Sequence, residues 1–272
     1  MNIHHMELPL VFFTVMSQWG IGAVLALTLY QMKVSTEHKL VGKSLRTAVI
    51  IIWLIEVVGS SMSMGHLGVP LEAYRSVLGL SHSWLSREAV TFVLLNGLVT
   101  LWALSCWLQP TVNIRNIVLG WLSGIGGLAA ILVTAQVYYQ MVAHPLWHSS
   151  ATQIAFIGTA IVLGFVSITL FVQALAKPVP KAIKVGVLLG VILVLISQVI
   201  RSQIPASQGE SYLLWWQVVM SMVLPCAIAV RGGKGKVPSV PLLIALMVVM
   251  FSGELAGRAL FYGSVMIQAP WF

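Results

Sequence analysis

The sequence predicts an all-α integral membrane protein, a single bundle of eight transmembrane helices with both termini facing outward. Three observations lead to this reading. Hydrophobic residues make up 58% of the 272 positions and charged residues 8%, against about a quarter charged in soluble domains. The apolar residues gather into runs of roughly 20, the length at which a helix crosses about 30 Å of hydrocarbon, whereas barrel strands are shorter and alternate. Lys and Arg fall between these runs and concentrate on one side of the membrane.

The runs follow one another from end to end. The first, Pro9 to Tyr30, comes after "MNIHHMELPLVFF", which has neither a basic start nor a small-residue cleavage site. It therefore reads as a retained span rather than a signal peptide, and no twin-arginine signal accompanies it. The second runs from Thr47 to Met64 and the third from Glu88 to Leu108. The fourth, Ile117 to Tyr139, and the fifth, Gln153 to Ala176, are the hardest to separate, because no charged residue lies between Arg115 and Lys177. Between them "QMVAHPLWHSS" brings a Pro, two His, a Trp and two Ser, the composition of an interfacial loop. The sixth, seventh and eighth are Ile183 to Ile200, Tyr212 to Val230 and Val240 to Ser264. All eight form one transmembrane domain over residues 1–272, with connections too short for a soluble one.

Orientation follows from the basic residues of the connections. The connections after spans one, three, five and seven hold Lys33, Lys39, Lys43, Arg46, Arg115, Lys177, Lys181, Lys184, Arg231, Lys234 and Lys236. The opposite side holds Arg75, Arg87 and Arg201, and Arg258 lies inside the last span. Both termini are thereby placed outside, and the net charge of +8 is a topology signal rather than a nucleic-acid footprint. "RGGKGKVP" could contact anionic lipid, but reads first as a short cytoplasmic turn. Any chemistry on water-soluble substrates falls to a partner.

Ionisable residues inside spans are costly and mark candidate function. Glu56 sits mid-span in the second run. Ten residues on, about 15 Å along a helix, His66 closes the run within Gly65, His66, Leu67, Gly68, Val69 and Pro70. These glycines and the proline suggest a helix ending in a fixed turn that aims the imidazole, a ring suited to handling protons near neutrality; a capping or tethering histidine is the plainer alternative. Glu56, Ser60 and Ser63 share a helical stripe with Leu67, and Gly59 with the serines lets a neighbouring helix approach closely. In the last span "GELAGRALFY" sets Glu254 and Arg258 four residues apart, with Tyr262 one turn further. The order suits a charge-neutralised pair that serves as a clamp or lines a pathway.

Other chemistries find no support. His4, His5, His38, His82, His144 and His148 lie outside the spans or at their ends, and His66 lacks an intramembrane counterpart, so no haem is expected. His144 and His148 have a metal-binding spacing, but Pro145 intervenes. Cys106 and Cys226 are too few for an iron–sulfur cluster or a structural zinc, and read as small buried hydrophobes. No metal site, phosphate-cradling glycine loop or nucleophile elbow is expected.

At "GHLGVPLEAYRSVLGLSHSWLSREAV" and "GELAGRALFYG" the chain resembles the membrane-anchor subunit family of anaerobic dimethyl sulfoxide reductases, in length, in the number of spans and in its outward termini. The resemblance implies a haem-free anchor that oxidises quinol, menaquinol foremost. It would dock an iron–sulfur electron-transfer subunit, which feeds a molybdopterin catalytic subunit in anaerobic respiration. Carried over from the family are His66, in the HLGxP stretch, and Glu88, opening the third span, which form or border a quinol site near the outer face. Arg87 is a variable position among such anchors.

The residues suit that role. Quinol oxidation needs proton acceptors beside the ring, and an imidazole with a partly buried carboxylate can supply them. The resulting expectation is that quinol enters from lipid, hydrogen bonds to His66, and is positioned by Glu88 with Arg75 or Tyr74 as further contacts. Electrons pass to a partner on the periplasmic face of a bacterial inner membrane. The rival readings are a secondary transporter using Glu56, Glu254 and Arg258, for which repeated halves are wanting, and a passive membrane tether.

Overall fold

The computed structural model describes residues 8–63, 78–204, 211–231 and 239–266. Eight helical segments in it are long and apolar enough to cross a membrane, and no strand occurs among the described residues. They are α1 (Leu8–Lys33), α2 (Gly42–Met62), α3 (Trp84–Leu108), α4 (Ile114–Tyr139), α5 (Ser150–Ala174) and α6 (Lys181–Ser202). The seventh span is composite, with α7 (Ser211–Gln217), a π-helical stretch (Val218–Val223) and α8 (Leu224–Arg231). The last is α9 (Val240–Met266). Most helices extend past their apolar runs by a turn or so. Helix α3 begins at Trp84, so Glu88 sits one turn inside it rather than opening it.

Polar residues just ahead of three helices fix where they start. Ser83 accepts from the Ser86 amide, Asn113 from the Asn116 amide at 2.8 Å, and Ser149 from the Ala151 amide, each satisfying a donor that the first helical turn leaves free. The π-helical stretch has a local cause. Pro225 has no amide to donate back into the preceding turn, and a widened turn accommodates the loss.

The bundle is organised around α1 and α5. Their apolar stretches are 78% and 72% buried, against 28–39% for the other six. A helix enclosed on all sides needs no polar face, and both are apolar almost throughout. The two axes approach closely where a Cβ on Gly22 would collide with the Ala160 carbonyl, and one on Gly164 with the Gly22 backbone. Backbone-to-backbone contact through small residues is how helices associate where hydrophobic burial gives no driving force. At the end where α1 stops, the connections are stitched together. Tyr30 Oη donates to the His38 carbonyl at 3.0 Å, Gln31 exchanges hydrogen bonds with the Leu40 backbone, and Lys177 Nζ donates to the His38 and Lys39 carbonyls.

Candidate functional site

The bundle end where α1 begins is different in kind: several helices bring polar side chains into its interior. Glu88, near the start of α3, is 7% exposed, and its Oε1 has no hydrogen-bond partner among the described residues. The Thr134 hydroxyl of α4 lies close enough to interact with this carboxyl, although no hydrogen bond of ordinary geometry closes to it. Tyr138, one turn along the same face of α4, interacts electrostatically with Glu88 and accepts a hydrogen bond from Tyr262 Oη of α9 at 2.9 Å.

From Tyr262 the polar row continues along one face of α9 at four-residue intervals. Arg258 is buried, donates from Nη2 to Gln18 Oε1 of α1 at 2.8 Å, and lies 3.7 Å from the centre of the Phe156 ring. Glu254, also buried, accepts from Thr159 Oγ1 of α5 at 2.7 Å. The sequence spacing suggested a charge-neutralised Glu254–Arg258 pair. The two do interact electrostatically, but no ion pair closes between them: Gln18 and the Phe156 face take the guanidinium, and Thr159 takes the carboxylate. A neutral amide plus an aromatic face satisfies the cation without bending either side chain along the helix.

An aromatic cluster fixes this row in place. The Tyr138 ring meets Trp147, Phe261 and Tyr262 edge-on, with centroids 5.2, 5.3 and 5.4 Å away. Trp147, from the loop between α4 and α5, is buried and donates from its indole to the Phe261 carbonyl at 2.7 Å. That loop is irregular around His144, Pro145 and His148, so those histidines do not share a regular helical face. Arg201 of α6 lies 5.0 Å from the Phe261 ring, with its Nε and Nη2 unpartnered among the described residues.

Glu56 is separate from the row. It is buried in the contact between α2 and α1, where it accepts from Ser60 at 3.0 Å and lies against Gly20. Gly59 packs against Met16 and Ser17 of α1, so the small-residue stripe of α2 is a helix–helix contact. Arg87 turns away from its neighbour Glu88. It donates to the Leu80 and Ser81 carbonyls, both at 3.0 Å, and covers the Trp84 ring, which pins the turn before α3.

Of the residues singled out from the sequence, Glu88, Arg258 and Glu254 thus belong to one buried row, and Glu56 lies apart. His66, Tyr74 and Arg75 lie outside the described residues. Sequence reasoning missed Gln18, Thr134, Tyr138, Trp147 and Thr159 as members of the row. A polar residue recurring mid-span in α1, α4 and α5 was the available signal.

A family model described as the DMSO reductase anchor subunit (DmsC) matches residues 1–264. An anaerobic dimethyl sulfoxide reductase chain of Escherichia coli (strain K12) is 27% identical over 276 residues, which cover 94% of either protein. Its counterpart in Haemophilus influenzae, likewise named for anaerobic dimethyl sulfoxide reductase, is 26% identical, with 97% of this sequence and 96% of the relative covered. A sulfite dehydrogenase component of Allochromatium vinosum is 27% identical over 135 residues, 46% of this sequence and 42% of its own.

Proposed function

The chain belongs to the dimethyl sulfoxide reductase anchor subunit family, and from that premise we propose that it is the quinol-oxidising subunit of its complex. As a multi-pass bacterial membrane anchor of a molybdoenzyme, it works with catalytic and electron-transfer partner subunits. In this reading the bundle end where α1 begins faces the periplasm of the inner membrane. The iron–sulfur subunit docks there and relays electrons to the molybdopterin subunit. No haem in this chain takes part.

The reaction removes two electrons and two protons from a menaquinol to give the quinone. The electrons leave to the cluster of the partner, and the protons are taken by Glu88 and His66, which release them to the same outer side. Because both charges depart on one side, the step moves no net charge across the bilayer. The observation that carries the reading is the Glu88 carboxyl: Glu56 and Glu254 also keep an unpartnered oxygen among the described residues, but they sit mid-span, whereas Glu88 is buried near the start of α3, at the bundle end where α1 begins. A buried acceptor without a partner costs about 1–3 kcal/mol, a cost that a site for a hydroxyl-bearing ligand accounts for.

Family membership favours the anchor over a transporter, and the tether reading is decided by experiment. In the assembled complex, His66→Ala should abolish turnover driven by a menaquinol analogue while an artificial donor still reduces the partner enzyme. Unimpaired quinol turnover would reject the assignment, and a wild-type complex that neither binds a quinone analogue nor accepts electrons from quinol would mark a passive tether.

A further inference from the structure

Glu88, Thr134 and the Tyr138–Tyr262 pair hold hydrogen-bonding capacity that the described residues leave unused. Among the described residues, Glu88 Oε1 is an acceptor without a donor, and the Thr134 hydroxyl has neither donor nor acceptor. The Tyr138 and Tyr262 hydroxyls pair at 2.9 Å, a bond that uses one of their two protons and leaves the other to be donated. A phenol carries one donor and also accepts. With Tyr262 as the donor of the pair, the free proton is that of Tyr138. All four side chains are at least nine-tenths buried: Glu88 7%, Thr134 2%, Tyr138 5% and Tyr262 0% exposed. Buried polar atoms in native proteins are nearly all paired, so unpaired ones beside each other at this outer end are open to a ligand oxygen.

Geometry explains why these residues converge. Thr134 and Tyr138 are four apart on α4 and present one face, and Glu88 lies against that face, beside Thr134 and within electrostatic reach of both tyrosines. Tyr138 cannot swing away. Its ring is held by Trp147, Phe156, Phe261 and Tyr262 at centroid distances of 5.2 to 5.9 Å.

We propose that Glu88, Thr134 and Tyr138 form a polar subsite that receives one ring oxygen of the quinol, with Tyr262 as the positioning residue that fixes the Tyr138 hydroxyl. The inference rests on the quinol-oxidising reading and adds to it the residues that select the substrate. As the ring is oxidised, the O–H bond of this oxygen breaks and its proton passes to Glu88 Oε1. The other ring hydroxyl gives its proton to the second acceptor of the proposed reaction, His66, the two electrons leave to the partner's iron–sulfur cluster, and both C–O bonds become carbonyls. Tyr138 donates throughout without losing its proton, so it strengthens its hold as negative charge develops on the ring oxygen. Thr134 serves as donor or acceptor as the oxygen changes from hydroxyl to carbonyl. A ring with this oxygen methylated can donate nothing to Glu88 and is refused.

The test uses the whole complex in its membrane, with Tyr138→Phe, Tyr262→Phe, Thr134→Val and Thr134→Ser. Read for each are KM and kcat with a short-tailed menaquinol analogue, Kd for a quinone analogue, and turnover with an artificial donor that bypasses the anchor. Tyr138→Phe keeps the ring packing and should weaken analogue binding and kcat/KM about tenfold or more, the scale of losing one hydrogen bond to a charged group. Tyr262→Phe should act in the same direction but less, and Thr134→Ser should restore what Thr134→Val loses. If Tyr138→Phe also lowers artificial-donor turnover, the assembly is damaged and the Thr134 pair decides. Values within twofold of wild type for both Tyr138→Phe and Thr134→Val, alongside loss of quinol turnover in Glu88→Gln, overturn this subsite and leave the quinol reading standing. An unaffected Glu88→Gln sinks the quinol reading itself.

Discussion

Tyr262 Oη donates to Tyr138 Oη at 2.9 Å, joining the last helix to α4 at the bundle end that holds Glu88. A hydrogen bond between two buried phenols links two halves of the polar interior. On one side lie Glu88 and Thr134, with unpaired atoms; on the other lie Arg258, held by Gln18 of α1, and Glu254, whose Oε2 is held by Thr159 of α5 while its Oε1 has no partner among the described residues. We assign the reactive role to Glu88, near the outer start of α3, and a clamping role to Arg258 and Glu254, which tie α9 to α1 and α5.

Arg258 joins α9 to α1 through Gln18 and to α5 through the face of Phe156. Arg258→Ala removes a hydrogen bond to a charged group and leaves Gln18 Oε1 unpaired, a loss of about 2 kcal/mol or more. The purified subunit should unfold at a clearly lower temperature in detergent. Gln18→Ala should produce a comparable loss, and the double variant should cost less than the sum of the two, as expected for groups that share one interaction.

Glu254 and Glu56 carry no proton in this account. Glu254→Gln retains an oxygen to accept from Thr159, and Glu56→Gln one to accept from Ser60. Both variants should keep quinol-dependent turnover within about twofold of wild type, because replacing a buried carboxyl by its isosteric amide preserves the acceptor it needs. A large drop in either, with artificial-donor turnover intact, would restore these carboxyls to a proton or substrate path.

Where α1 meets α5, a side chain on Gly164 would enter the Gly22 backbone. Gly164→Leu must push two central helices apart, and overpacking of this kind costs about 1–3 kcal/mol or more. Less folded protein should accumulate in the membrane, with quinol-driven and artificial-donor turnover falling together. Selective loss of quinol turnover would instead mean that this contact belongs to the site.

Much of the architecture was legible before any coordinate. Eight apolar runs became eight spanning segments because a helix that crosses lipid must be apolar over a fixed length. Glu56, Glu254 and Arg258 were conspicuous for a similar reason, since an ionisable group in a span is expensive enough to stand out, whereas Glu88 came from the family resemblance. Thr134, Tyr138 and Gln18 were not. A neutral polar residue costs little in a span, and hydropathy does not say which face of α1 or α4 looks inward. Trp147 was hidden differently, since an irregular loop folding back onto α9 has no periodicity to read. The Glu254–Arg258 spacing pointed to two groups that do interact electrostatically, but it could not name the hydrogen-bond partners that neighbouring helices supply. The irregularity of the seventh span had its cue in Pro225, whose widened turn sequence spacing alone did not announce.

The most direct measurement is the rate at which a menaquinol analogue delivers electrons to the iron–sulfur clusters of the partner subunit, followed by rapid mixing in wild-type and Glu88→Gln complexes. Glutamine fills the same volume but cannot take the proton. The account predicts that cluster reduction by quinol slows by about two orders of magnitude or more, the scale of losing a positioned general base, while reduction by an artificial donor keeps its rate. Equal rates of quinol-driven reduction in the two complexes would contradict it.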